Sequence, residues 1–428
     1  MASNQSGTKT IVGLDIGTSK IKAVVGEITG NVINVRGYKS VRTKGLRNGV
    51  VIHIEGTKKS IETALHEALE VAGYRVDIVD TAYIGITGGH IKSINSHGVI
   101  TIDDEVTDED IRRVNEQAHT GKYSESEERM LHVLPKEFTL DMQEGIVEPV
   151  GMVGKRLEVK THIITASESA VRNIEKCVQS AGLKNATPVL AQYAASEAVL
   201  SDDEKALGVC VVDIGGGTTD ITVYRNGSMQ YTSVLPIAGN YVTNDIAIAF
   251  NTPTDSAEEI KVRYGCAMPS LIKENFEFDV QRVGEREPFK LNQRLLSEVI
   301  RPRMEEIFES VEQRLRRDGF SKEMFGAGIV ITGGSSMMFG SNPLAEEIFD
   351  MPVRIGSPKN DMFVGGILNE VSNAEYSSAL GLLQYASQNF DYHNPNHIYP
   401  VAVSDSPGFL DSIFDSMRSL KEWFKKSF

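Results

Sequence analysis

Strand-like alternation flanks a glycine turn twice in this chain. Residues 10–28 read T-I-V-G-L-D-I-G-T-S-K-I-K-A-V-V-G-E-I, and residues 211–224 read V-V-D-I-G-G-G-T-T-D-I-T-V-Y. Each pattern predicts two strands joined by a tight reversal. Aligned on Asp15 and Asp213, the copies match apart from one inserted glycine. A repeat this widely spaced implies two similar lobes, not a solenoid of short units.

Around the first copy, residues 32–37 and 50–54 read as further strands, Lys58–Ala72 as a helix ended by Gly73, and Ala82–Thr87 as a short apolar strand. The character changes from about Gly88 to Thr161. Val99–Ile102 alternates like a strand, Thr107 caps an acidic first turn, and Lys122–Arg129 is polar like an exposed loop. Strands are expected at Met130–Leu134, Phe138–Leu140 and Arg156–Ile164, giving a compact α+β insertion. Ser167–Ala181 is helical, ended by Gly182.

Beyond the second hairpin, helices are expected from Gly239 and from Ser256, then a loop or edge hairpin over 276–290. A long amphipathic helix follows over Leu295–Arg316, disturbed near Pro302. Ala327–Met338 (A-G-I-V-I-T-G-G-S-S-M-M) reads as a buried strand running into a double-glycine turn, and Tyr376–Tyr385 as the last helix of the fold. Residues 387–408 carry Pro, Asn and Ser without periodicity, as a linker does. The stretch 409–428 then places Phe409, Leu410, Ile413, Phe414, Met417, Leu420, Trp423 and Phe424 on one helical face. Arg418, Lys421, Lys425 and Lys426 cluster late in it, against Asp411, Asp415 and Glu422. Aromatics opposite lysines suit the interface of an anionic membrane; docking on the chain's own body or in a partner's groove are the alternatives.

Composition narrows the setting. The 428 residues suffice for two or more domains, with 41% hydrophobic and 24% charged residues as in ordinary globular proteins. A net charge of −14 argues against a protein that coats nucleic acid. Cys177, Cys210 and Cys266 are odd in number and set in apolar contexts, so buried free thiols in a reducing compartment are expected. His119 and His132 have no ligand-spaced neighbours, and no zinc site is expected. The polar N-terminus lacks a signal-peptide core, and no run approaches the ~20 apolar residues of a membrane span. The expectation is a soluble, cytoplasmic body.

The repeated hairpins carry the chemistry. Glycines let backbone N–H groups crowd a polyanion, and Thr218 and Thr219 add hydroxyl donors. Two such hairpins can close on one nucleotide from opposite sides, with Mg²⁺ held through water by Asp15 and Asp213.

Together with G-I-V-I-T-G-G-S, this pair resembles the actin, sugar-kinase and heat-shock-chaperone ATPase superfamily. The resemblance implies an α/β, two-lobed actin-like fold that binds ATP and Mg²⁺. Asp15, Gly17, Thr18, Ser19 and Lys20 match its first phosphate motif. Asp213, Gly215, Gly216, Gly217, Thr218 and Thr219 match the second, and Gly333, Gly334 and Ser335 the adenosine motif. Glu258 and Lys261 fall where the superfamily contacts ribose and adenine, and Gly239 and Asn240, opening the helix before them, join the nucleotide set.

Within the superfamily the chain resembles the FtsA family of bacterial cell-division proteins, over essentially its whole length. The resemblance rests on L-G-V-C-V-V-D-I-G-G-G-T-T-D, E-E-I-K-V-R-Y-G-C-A, H-V-L-P-K-E-F, Q-E-G-I with the following P-V-G-M, and the linker plus amphipathic tail. It implies a lobe-one core at 1–84 plus 162–199 and an inserted subdomain at 85–161 for self-association and recruitment of later division proteins. It further implies a lobe-two core at 200–227 plus 301–386, and an outer subdomain at 228–300 binding the C-terminal tail of the tubulin-like FtsZ. Arg303 matches a position tied to that contact. The tail at 409–428 would hold the assembly on the inner face of the cytoplasmic membrane at the division site.

One departure bears on catalysis. The superfamily's water-orienting Gln or Glu is replaced by Thr187 when Val189–Ser196 is aligned, and Gln192 and Glu197 are out of register. A hydroxyl positions water less well, so firm ATP binding with slow hydrolysis is expected. A sugar kinase or chaperone-like ATPase of the same superfamily is the alternative; neither a sugar cleft nor a peptide-binding domain is evident.

Overall fold

A computed structural model describes residues 8–389, apart from 31, 76–78, 80, 125, 285 and 360–361. The expected linker from 390 onward and the 409–428 helix, with Lys421, Lys425 and Lys426 and its apolar face, lie outside the described residues.

β1 (Lys9–Ile16), β2 (Lys20–Thr29) and β3 (Val32–Arg42) form an antiparallel meander. β4 (Leu46–Arg47) and β5 (Val50–Val51) make a small hairpin, and α1 (Ile54–Ala72) begins where alternation over 50–54 predicts strand. His53 decides that switch: its Nδ1 accepts from the Gly56 N–H at 3.1 Å and caps the helix. Gly73 ends α1 in the left-handed conformation, as the sequence predicts. β6 (Thr81–Ile86) then pairs parallel to β1.

The chain next builds a separate sheet: β7 (Lys92–Thr101), α2 (Asp108–His119), β8 (Glu128–Leu140), β9 (Gln143–Ile146) and β10 (Arg156–Ser167), ordered β7-β10-β8-β9. Thr107 and Asp110 form a reciprocal capping box at the start of α2. Ile111, Val114, Phe138, Leu157 and Val159 give this unit its own core. The two strands expected at 130–134 and 138–140 are one strand, β8. Pro135 lies opposite Thr161 at a register shift, where a missing N–H is tolerated.

α3 (Glu168–Ser180), β11 (Asn185–Leu190) and α4 (Ala191–Val199) return to the first sheet, and α5 (Asp202–Leu207) leads out of it. The second lobe repeats the first with β12 (Val209–Ile214), β13 (Thr219–Arg225) and β14 (Ser228–Leu235), followed by α6 (Gly239–Phe250) and α7 (Thr254–Tyr264). The charged 276–290 stretch contains the hairpin of β15 (Glu277–Val280) and β16 (Phe289–Asn292). α8 (Gln293–Arg317) continues through Pro302 without a break. β17 (Ile329–Thr332), α9 (Ser341–Phe349) and β18 (Val353–Ile355) complete a sheet ordered β14-β13-β12-β17-β18.

The last segment departs from the sequence reading. β19 (Phe363–Val364) pairs with β3, so the first sheet runs β11-β6-β1-β2-β3-β19. After α10 (Leu368–Val371), α11 (Ser377–Gln388) packs on β1 and α4 in lobe one, not in the lobe-two core expected to reach 386. Small residues permit it: a Cβ on Gly13 would stand 2.6 Å from the Ala379 carbonyl oxygen. All three cysteines are buried free thiols, as expected.

Candidate functional site

The two glycine hairpins meet face to face across the cleft between the lobes. Ser19 Oγ, from the β1–β2 turn, donates to Asn240 Oδ1 on α6 at 2.7 Å. Gly216 and Gly217 are glycines because lobe one comes this close. A Cβ on Gly216 would stand 1.9 Å from Ser19 Oγ, and one on Gly217 would stand 2.7 Å from Thr18 Oγ1. The α6 N-terminus locks onto the second turn through Gly239 N–H to Gly215 O (3.1 Å) and Asn240 N–H to Gly216 O (2.8 Å).

The glycine turn after β17 closes the site from below. Ser335 Oγ donates to Gly215 O at 2.9 Å. Gly333 has φ 85 and faces the Asp213 carboxylate, and Gly334 opens a short 3₁₀ turn to Met337. Lys261, nearly buried beneath α6, donates to Gly239 O at 3.2 Å and Thr243 Oγ1 at 2.8 Å and pairs with Glu258 at 2.6 Å. Burial pulls its pKa down against the attraction of Glu258. Gly17 lies in the β1–β2 turn, its carbonyl held by Thr43 Oγ1 at 2.7 Å. Lys20 pairs with Glu375 at 2.8 Å at the more exposed rim.

Two sequence-derived residues stand apart from this set. The Thr219 hydroxyl donates to Ile237 O at 2.6 Å in the core of lobe two, so it is structural. Arg303 on α8 is held bidentate by Asp245 (2.6 and 3.1 Å) over the Tyr241 ring, on the outer part of lobe two.

Beneath the hairpins lies a buried charge cluster that sequence reasoning captured only in part. Asp15 faces Lys22 in the β1–β2 register and pairs with it at 2.8 Å. The same register position in lobe two holds Asp220 opposite Asp213. Asp213 accepts from Ser378 at 3.3 Å, and Asp220 accepts from Thr87 of lobe one at 2.6 Å. Burial, then Asp15, pushes the Asp213 carboxyl up to about 6. Burial, then Asp213, pushes Asp220 up to about 8. Burial opposes the charge on Lys22, but Asp15 outweighs it and holds that pKa above its ordinary value. A lone acid within the apolar β13 run was the one signal for Asp220; Lys22, Thr87 and Ser378 carried none.

A pH test follows from Asp220. Its folded carboxyl keeps a proton up to about 8, whereas the unfolded one loses it near 3.8. The folded state therefore binds more protons across that window, and stability falls as pH rises through it. Above pH 7 Asp213 (about 6) has mostly titrated, and so have the unfolded counterparts of the buried neutral His132 and His162 (about 3 folded, ordinarily 6.5). Asp220→Asn keeps the Thr87 contact and removes the proton. Lys136, with a folded pKa of about 8 against an ordinary 10.5, adds stability as pH rises through the same window, equally in both proteins. Thermal unfolding should therefore show the wild-type chain losing stability relative to the variant from pH 7 to 8.5. Parallel slopes would contradict the assignment.

Thr187 lies in β11 and is largely buried. Of its neighbours, Glu197 is paired with Lys205 at 2.7 Å, and Gln192 is fully buried, its Nε2 donating to Thr232 Oγ1 at 3.0 Å and its Oε1 without a hydrogen-bond partner among the described residues. No group of three or more His, Cys, Asp or Glu side chains among the described residues could hold a metal ion by itself.

Two lobes, each a sheet carrying an Asp–Gly hairpin and closing on one cleft, define the actin-like ATPase fold. Solved structures of that fold match the chain. They include PilM of the PilM–PilN type IV pilus biogenesis complex (19% identical, TM-score 0.62, 87% of this chain and 97% of that one). MreB5 of Spiroplasma citri bound to ADP is 13% identical with a TM-score of 0.53, over 88% of this chain and 96% of that one. The family model for cell division protein FtsA matches residues 210–381, and that for the SHS2 domain inserted in FtsA matches residues 88–165. The cell division protein FtsA of Pseudomonas aeruginosa (strain PAO1) is 48% identical over 91% of both chains. The chain belongs to the FtsA family of cell division proteins.

Proposed function

We propose that this chain binds ATP between its two glycine hairpins and uses it as an assembly ligand, not as a fuel burned quickly. The observation that carries this reading is the direct meeting of Ser19 with Asn240 and Gly216, which brings backbone amides and hydroxyls of both lobes to one point. The neighbour bound to ADP is consistent with it. Asp15, Gly17, Thr18, Ser19 and Lys20 would meet the phosphates from one side, and Asp213, Gly215, Gly216, Gly217 and Thr218 from the other. Gly239, Asn240, Glu258, Lys261, Gly333, Gly334 and Ser335 would hold the nucleoside.

Mg²⁺ fits this donor set. Asp220 has a buried carboxylate oxygen without a hydrogen-bond partner among the described residues, and Asp213 is protonated more readily than usual, both signs of uncompensated negative charge. Asp15 and Asp213 would hold the ion through water, where it screens phosphate charge. With Thr187 and Gln192 buried and Glu197 paired with Lys205, none of these three offers the cleft an exposed, unpaired group to orient a water, which favours slow hydrolysis.

On this reading the ATP-bound chain self-associates as an actin-like filament and tethers FtsZ to the cytoplasmic face of the membrane. The outer part of lobe two, near Arg303 and 228–300, takes the FtsZ tail, and the inserted subdomain recruits later division proteins. The apolar face of 409–428, with Lys421, Lys425 and Lys426, supplies the membrane contact. Co-sedimentation with anionic vesicles tests the tether: the full chain with Mg-ATP should pellet, and a chain ending at Ser406 should remain in the supernatant. Equal pelleting of both would refute it.

A further inference from the structure

A groove of about 1000 Å³ opens where the inserted subdomain meets the β13–β14 hairpin of lobe two, and none of the cleft residues described above lines it. Its walls carry four cationic side chains, Lys122, Lys136, Lys160 and Arg225, against the two carboxylates of Glu137 and Glu158. Both carboxylates are engaged. Glu137 pairs with Lys160 at 2.6 Å, and Glu158 pairs with His97 at 2.7 Å and Arg156 at 3.1 Å. Lys136 and Arg225, from opposite walls, have no ion pair among the described residues. This is a local cationic excess on a chain with a net charge of −14.

Three further observations point to a ligand. Thr161 lines the groove with a fully buried hydroxyl that has no hydrogen-bond partner among the described residues. Lys136 is half-buried, and burial brings its pKa down to about 8, helped by Lys160 and opposed by Glu137. A second cavity of about 240 Å³ shares Asn95, Lys136, Arg225 and Gln230 and is walled by Val223, Phe320 and Met324. The two cationic groups thus stand at a throat between a polar groove and an apolar pocket.

We propose that this groove binds a phosphate-bearing anion, its charge at Lys136 and Arg225 and an apolar portion against Val223, Phe320 and Met324. Lysine as a point charge beside a planar guanidinium fork suits phosphate oxygens. An acidic peptide is disfavoured, because such a strand would pair with the nearby edge of β14. That edge is already used: Ser93 Oγ donates to Thr232 O at 3.1 Å, and Asn95 Nδ2 reaches Gln230 O at 3.5 Å. Since Lys136 belongs to the inserted subdomain and Arg225 to lobe two, an anion bridging them ties the two together. The site would set their relative position independently of the ATP cleft.

Isothermal titration of the full chain, with saturating Mg-ATP filling the cleft, tests this with two probes: inorganic tripolyphosphate and soluble dihexanoyl phosphatidic acid. Binding of either probe that weakens at least tenfold in Arg225→Ala and in Lys136→Ala supports the site. A preference for the first identifies a free phosphate as the source, and for the second a lipid headgroup. Arg225 is exposed, so R225A is not expected to perturb folding. The proposal is overturned if neither probe binds beyond the ATP cleft, if both variants bind like wild type, or if only a poly-glutamate peptide binds.

Discussion

Gly381→Ala should unfold this protein several degrees below the wild type, although alanine is the better helix former. The added Cβ would lie 1.9 Å from the Ala194 carbonyl oxygen and 2.4 Å from its carbon, where α11 crosses α4. Ordinary contact distances would require the helices to part by roughly 1 Å or more. Both sides are fully buried among Val189, Leu380 and Leu383, so parting them opens voids along the whole crossing. Overpacking of this kind costs about 3 kcal/mol or more when backbone must move. The gain in helix propensity returns only about 1 kcal/mol. For a lobe of roughly 200 residues unfolding as a unit, a net loss near 2 kcal/mol corresponds to a fall in melting temperature of roughly 5 °C in thermal denaturation. Because the clash is with backbone, Ala194→Gly should give no rescue. A G381A chain melting with wild type would show that α11 is not seated as described.

The same crossing marks the limit of what the sequence discloses. The 3.6-residue period over 376–385 announces a helix, but nothing local says that Gly13 will face the Ala379 carbonyl or that Gly381 will face that of Ala194. Sequence adjacency places α11 with lobe two, the lobe it follows, whereas packing seats it on α4 and β1 of lobe one. Local chemistry was more legible. Gly73 as a C-cap, Thr107 as an N-cap with an acidic first turn and the repeated strand–glycine–strand hairpins each depend on residues a few positions apart. Pro135 misled because a proline in a strand ordinarily ends it, and the register shift opposite Thr161 that accommodates it is set by another strand.

The candidate site divides the same way. Its glycines and acids are written in two short motifs, and the structure brings both to one cleft. Their partners are not adjacent in sequence. Thr87 reaches Asp220 from the other lobe, Ser378 reaches Asp213 from α11, and Lys22 opposes Asp15 only because β1 and β2 pair in that register. Those residues sit in ordinary strand and helix patterns, so periodicity could not distinguish them.

Gly216→Ala should leave the fold intact and weaken ATP binding by about 10- to 100-fold. The new Cβ would meet Ser19 Oγ at 1.9 Å and Ser19 Cβ at 2.7 Å, with Asn240 Oδ1 at 3.2 Å. Rotating the serine hydroxyl relieves the first contact but not the second, so the two hairpins must separate. That interface is a cleft, not a packed core, and separation costs the closed state without unfolding either lobe. A penalty of about 1–3 kcal/mol on closure translates into that range of affinity, since each 1.4 kcal/mol is tenfold. Here, unlike at Gly381, the obstruction is a side chain. Ser19→Gly removes both close atoms, so the double variant should recover much of the affinity that G216A loses, although Ser19→Gly alone gives up one hydroxyl donor. Equilibrium titration with a fluorescent ATP analogue across the four proteins of this cycle measures the coupling directly. Wild-type affinity in G216A, or additive losses in the double variant, would mean that nucleotide does not bind where the two glycine hairpins meet.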